Sequence, residues 1–141
     1  MIRITKNFHF EMAHAIYGYN GACKNIHGHS YQLQVTVTDG KKHETPIEGT
    51  GILIDFKVIK KIVQQAVIEK MDHHLCLSTH FLKAHPEFPK QDNLLIWDFE
   101  PTAENMLIYI AKTIKALLPE EIQLIHLKLY ETPDSFAEWQ A

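Results

Sequence analysis

Over the first twelve residues the apolar side chains fall on even positions, Ile4, Phe8, Phe10 and Met12, while Arg3, Thr5, Asn7, His9 and Glu11 take the odd ones. This period of two predicts a half-buried strand over Ile2–Met12, broken only at Lys6. The alternation returns more cleanly over His27–Asp39: Tyr31, Leu33, Val35 and Val37 share one face, and Ser30, Gln32, Gln34, Thr36 and Thr38 the other. The turn residues of Asp39–Gly51 predict an exposed hairpin connection into a short strand, Ile52–Ile54.

The period then changes to that of a helix. Asp55 is placed to cap a helix with the apolar stripe Ile59, Ile62, Val63, Ala66 and Val67, ending near Met71. A second helix is announced by Pro101, Thr102 as N-cap and Glu104 in the first turn; its stripe is Leu107, Ile110, Ala111, Ile114 and Leu117, and Pro119 closes it. Residues 122–130 are apolar at positions of both parities, which predicts a strand covered on both faces. Between Leu75 and Pro101 no periodicity persists, apart from a strand expected around Leu94–Phe99; a connection of that length is usually functional or locally structured.

Composition narrows the class. A chain of 141 residues suits one domain, 1–141, and its 45% hydrophobic and 22% charged content is that of a soluble protein. The net charge of -3, with no Lys/Arg cluster, offers no footprint for nucleic acid or an acidic membrane, so a small molecule is the expected partner. No secretory signal or membrane-spanning run is read, and two cysteines make no disulfide framework, which points to a cytoplasmic setting. Cys76 reads as a buried apolar residue.

Ten histidines are the compositional anomaly. His9, His43, His80, His85 and His126 have no partner at ligand spacing. His27 and His29 share a strand face, and parity makes it the apolar one. His14 continues the even series of the first strand, so pairing of the first two strands brings three imidazoles together. Three nitrogen ligands with an open fourth position are the usual catalytic zinc arrangement, and Gly28 lets the backbone approach closely between two of them. Cys23 lies four residues before His27 in "CKNIHGHSY". As a fourth ligand it would close the site; as a free thiol it would stand beside an open one. The spacing leaves both readings.

Two further groups carry chemistry. In "MDHHL" an aspartate, Asp72, precedes two histidines at the end of the first helix and could orient an imidazole for proton exchange, although the local sequence does not choose between His73 and His74. Glu131 has the parity of Leu127 and Leu129; it is either a rim carboxylate or a bidentate anchor for an amidine-like ligand edge.

The ordered fragments "FEMAH", "CKNIHGHSY", "GILIDF", "MDHHL", "PTAEN" and "YETP" span nearly the whole chain and together resemble the 6-pyruvoyl-tetrahydropterin synthase and 6-carboxytetrahydropterin synthase superfamily. That resemblance implies an α+β tunnelling fold: an antiparallel four-stranded sheet with two helices on one face, joined between subunits into a β-barrel. The assembly would be a trimer or a dimer of trimers with sites between subunits. It implies zinc on His14, His27 and His29, catalytic roles for Cys23, Asp72 and His73, a pterin-anchoring Glu131, and Thr102 and Glu104 beside the pterin pocket. The three-residue spacer between Cys23 and His-Gly-His resembles the bacterial carboxy-forming enzymes of queuosine biosynthesis. The implied reaction takes 7,8-dihydroneopterin triphosphate and water to 6-carboxytetrahydropterin, acetaldehyde and triphosphate, with pyruvoyl-forming or aldolase-type chemistry, or a non-catalytic zinc-stabilised oligomer, as alternatives. The Leu75–Pro101 stretch is longer than in compact members of the superfamily.

Overall fold

A computed structural model describes all residues, 1–141. Strand β1 (Ile4–His14) and strand β2 (His27–Thr38) follow the two alternating segments and pair antiparallel, with Phe10 opposite Tyr31 and His14 opposite His27. Asp55 caps α1 (Phe56–Val63) by accepting from Lys57 N–H. A π-helical turn, Gln64–Ile68, and a last α-helical turn, α2 (Glu69–Met71), continue it. The wider turn places Ala66, Val67 and Ile68 consecutively in the core.

Next come β3 (His74–Ser78), α3 (Thr79–Ala84), β4 (Leu94–Trp97), α4 (Ala103–Lys115), β5 (Gln123–Thr132) and β6 (Ser135–Gln140). The sheet order is β4-β3-β1-β2-β5-β6. Strands β1, β2, β5 and β6 pair antiparallel, while β3 lies parallel to β1 and β4 parallel to β3.

Four antiparallel strands were therefore too few, and the sheet is mixed. After the α1–α2 segment the chain re-enters the sheet on the other side of β1 from β2, running antiparallel to β2 and therefore parallel to β1. No strand forms at 52–54: Leu53 and Ile54 pack on the core from outside the sheet, and Ile52 is exposed.

The two long helices do cover one face of the sheet. Phe10, Tyr31, Leu33, Leu127 and Leu129 meet Ile59, Val67, Met106 and Ile110 in one continuous core. A smaller cluster, Ala15, Leu75, Leu77 and Phe81, lies under α3. Strand β5 is covered on one face only. Its double apolar parity comes from a bulge, since the β2–β5 register shifts between Thr36/His126 and Val37/Leu124, which lets Leu124 and Leu127 both point inward.

Candidate metal centre and adjoining cavity

Parity and register deliver the three histidines. His14 closes β1 directly opposite His27, and His29 sits two residues further along β2, on the same face. Their ring centroids lie 4.6 to 5.2 Å apart, and one potential ligand atom from each falls within 4.8 Å of the others.

Hydrogen bonds fix the tautomers. His14 Nδ1 donates to the Pro101 carbonyl at 2.7 Å, and His27 Nδ1 to the Asn25 carbonyl at 2.7 Å. Each neutral ring therefore carries its proton on Nδ1 and presents a bare Nε2. Those two Nε2 atoms face each other at 3.1 Å. Two lone pairs at that distance repel unless a cation or proton stands between them. His29 Nε2 is buried with no hydrogen-bond partner. Three orphaned imidazole nitrogens converging on one point fit a metal ion, and the carbonyl behind His14 is the kind of outer partner that orients such ligands.

Electrostatics agree. Burial is the main cause that lowers the His14 pKa to about 4, helped by His27 and His29 and opposed by the Pro101 carbonyl. Burial likewise lowers the pKa of His29, with Glu131 opposing it. Both shifts favour the neutral, ligating form.

Cys23 is not one of the converging atoms. It is exposed, on a 3₁₀ turn at Ala22–Lys24, and its carbonyl accepts from Ile16 N–H at 2.8 Å. A cavity of about 280 Å³ opens there, lined by His14, Ile16, Tyr19, Cys23, Thr102, Glu104, Glu131 and Phe136 among others. Five of the nine site residues expected from sequence thus line one cavity. Thr102 is placed by its capping role, with its hydroxyl accepting from Asn105 N–H at 3.2 Å. Glu131 sits where the β5–β6 register shifts between Tyr130 and Thr132, and its Oε2 lies 3.7 Å from His29 Nε2.

Asp72 and His73 stand elsewhere. Of the two, His73 lines a second cleft, of about 370 Å³, together with Glu11, Gly28, His29, Ser30, His74 and Asn93. Within one chain they do not line the Cys23 cavity. Their mutual geometry is tight: His73 Nδ1 is 2.9 Å from Asp72 Oδ2, whereas His74 Nδ1 bonds only the Asp72 main-chain carbonyl. The aspartate is fixed by Glu11 N–H, which donates to its Oδ1 at 2.8 Å and is the main reason its pKa is lowered, with His73 adding to the effect.

His73 alone among the non-glycine residues has positive φ, +60°. Its N–H donates to the Glu11 carbonyl at 2.6 Å, and its carbonyl accepts from the Asn93 side chain at 3.0 Å. A left-handed histidine persists only when held in this way. Asn93, Glu11, Tyr19 and the Pro101 carbonyl were not singled out in the sequence. Their parts depend on strand-to-strand register and loop return, which leave no local signal.

Fold and site together define an α+β protein with a three-histidine cluster able to hold a metal ion, one member of which, His14, lines a cavity of small-molecule size. The chain belongs to the 6-pyruvoyl tetrahydropterin synthase family, whose profile matches residues 3–141. It is 32% identical over 149 aligned residues to a 6-carboxy-5,6,7,8-tetrahydropterin synthase from Haemophilus influenzae, with 99% of each chain covered. It is 30% identical to a protein of the same name from Rickettsia felis, covering 98% of this chain and 99% of the relative. Among solved structures, the 6-pyruvoyl tetrahydropterin synthase of Caenorhabditis elegans superposes with a TM-score of 0.69 at 20% identity, covering 99% of this chain and 95% of that one. The Plasmodium falciparum enzyme of that name gives 0.69 at 19%, covering 99% and 97%. No helix is long and apolar enough to cross a membrane.

Proposed function

We propose that this chain is a zinc-dependent 6-carboxy-5,6,7,8-tetrahydropterin synthase of queuosine (7-deazaguanine) biosynthesis, acting in the cytoplasm on 7,8-dihydroneopterin triphosphate. The names of the relatives at 30% identity or more support the reaction. The observation that carries the reading is the convergence of three imidazoles, with His29 Nε2 buried and unpartnered, beside a cavity that His14 lines together with Cys23 and Glu131.

His14, His27 and His29 would hold the metal, a nitrogen set that suits zinc. When bound, zinc supplies Lewis-acid polarisation of the substrate's side-chain hydroxyls. The remaining work falls to the chain's own groups. Glu131 accepts from the amidine-like edge of the pterin and fixes the ring in the cavity, with Thr102 and Glu104 at its wall. Cys23 moves a proton to or from the side chain. The Asp72–His73 pair exchanges a second proton. Because that pair lies outside the cavity of its own chain, a second copy would have to bring it there. The edge strands β4 and β6 leave the sheet open for joining into a barrel, as a trimer or a dimer of trimers.

Product analysis tests the reaction. Incubation with 7,8-dihydroneopterin triphosphate should release acetaldehyde in step with a 6-carboxylated tetrahydropterin. A pyruvoyl product without acetaldehyde would overturn the carboxy assignment while keeping the family.

A further inference from the structure

The link between β4 and α4 reaches both the histidine cluster, through Pro101, and the segment that leads to Cys23, through Glu100. Glu100 is mostly buried, with a side chain 21% exposed. Its Oε1 accepts from Tyr17 N–H at 2.6 Å, and its Oε2 lies 3.5 Å from His80 Nδ1. Its main-chain carbonyl is held in turn by the Asn105 side chain at 2.9 Å and by Thr102 N–H at 2.9 Å. The next carbonyl, that of Pro101, orients His14. One turn of chain therefore grips the metal ligand through Pro101 and, three residues beyond that ligand, the main chain of Tyr17 through Glu100.

Tyr17 begins the segment that carries the thiol. Residues 17–25 form no strand or α-helix; Gly18 adopts φ +82°, and Tyr17, Tyr19 and Cys23 are exposed. Its ends are drawn together by the Ile16 N–H to Cys23 carbonyl bond. Nothing in such a loop is rigid by itself. A carboxylate accepting from a main-chain N–H makes a short, charge-assisted bond, stronger than a neutral one.

We infer that Glu100 is a positioning residue for Cys23: its carboxylate anchors the Ile16–Tyr17 main chain and so sets where the thiol stands across the cavity from His14. The inference rests on reading Cys23 as the reactive thiol of the proposed synthase. It touches neither a substrate nor a metal ligand's ring, so it acts only through the loop. A thiol displaced by about 1 Å can lose up to about 100-fold in rate without loss of binding.

The test compares zinc-loaded Glu100→Ala and Glu100→Gln with the parent protein and with Cys23→Ala. The glutamine keeps an oxygen for Tyr17 N–H, so it should rescue. We expect Glu100→Ala to lower kcat by about tenfold or more with KM and zinc content little changed. In the same variant, hydrogen exchange of the 16–23 segment should accelerate by about tenfold or more while the core strands keep their protection. Glu100→Gln should stay close to the parent in both. Parent-like kcat and exchange in Glu100→Ala would overturn the inference, as would equal losses in both variants accompanied by global loss of protection. Faster exchange without loss of kcat would also overturn it, provided Cys23→Ala is inactive. If Cys23→Ala is itself fully active, the thiol's assigned role is what has failed.

Discussion

His14 and His27 face each other across the first rung of the β1–β2 ladder with their Nε2 atoms 3.1 Å apart and their Nδ1 protons both given to main-chain carbonyls. With both Nδ1 protons committed, the two Nε2 lone pairs repel unless a cation or proton stands between them.

This makes an unusual prediction for His27→Ala. The metal-free variant should be about as stable as the metal-free parent, since the substitution relieves the facing lone pairs. It should nevertheless lose the stabilisation that zinc confers on the parent, which by mass action is about 2.7 kcal/mol at a free concentration 100 times Kd, worth several degrees in Tm. Thermal melts with and without zinc check both halves. A variant that keeps the full zinc-induced shift would show that His27 is not a ligand.

Cys23→Ala separates an open site from a closed one. The thiol lies outside the three-nitrogen group, so the variant should keep about one zinc per chain and its fold. Turnover should fall by about 100-fold or more, the range for loss of a positioned proton-transfer group. Metal analysis on the purified variant decides. Zinc lost along with activity would mean that the sulfur completes a four-ligand site.

Glu131→Ala should act on substrate affinity. Hydrogen bonds to a charged group contribute about 1.5–3 kcal/mol each, so losing the anchor should weaken binding of a dihydropterin by about 10- to 100-fold or more. Zinc content should not change, because Glu131 Oε2 is 3.7 Å from His29 Nε2 and forms no hydrogen bond with it. Calorimetric titration with a non-reactive dihydropterin reads the effect directly; unchanged affinity would remove Glu131 from the anchoring role.

How far the sequence could be read follows from which faces meet water. Strands β1 and β2 are buried on one face, so their period of two is plain, and the same parity that named the core named His14, His27 and His29 as neighbours. Strand β3 is buried on both faces, with Leu75, Cys76 and Leu77 all inside, and therefore shows no alternation. Strand β6 alternates, Ala137 and Trp139 inward against Phe136 and Glu138, but over only six residues. The bulge in β5 disguised one buried face as two. Roles set by register across distant strands, such as Glu11 beneath Asp72 or Glu100 behind Tyr17, carry no local signature at all.

Asp72 predicts a pH effect whose sign is fixed by its pKa. The folded-state value is lowered, chiefly by Glu11 N–H. A depressed carboxylate stabilises the fold above its unfolded pKa, ordinarily about 3.9, and that contribution disappears as the pH falls through the lower folded value. Asp72→Asn should therefore flatten the acid side of the stability curve below about pH 4. Parallel acid denaturation of parent and variant checks it, and coincident acid limbs would refute the contribution.

The placement of Asp72–His73 outside the cavity of their own chain gives the sharpest test of assembly. If neighbouring copies complete each site, Cys23→Ala and His73→Asn are defective in different halves of a shared centre. Asparagine suits this role because it tolerates the left-handed backbone that His73 adopts at φ +60°. Each variant alone should be inactive. Unfolding them together and refolding at equal ratio should restore about one intact site in four, because a random interface pairs a parent thiol with a parent imidazole at that frequency. Activity at about a quarter of the parent level in the refolded mixture, absent when the separately refolded variants are simply combined, supports sites between subunits. A refolded mixture that forms mixed oligomers by mass spectrometry and still shows no turnover would place the whole site within one chain.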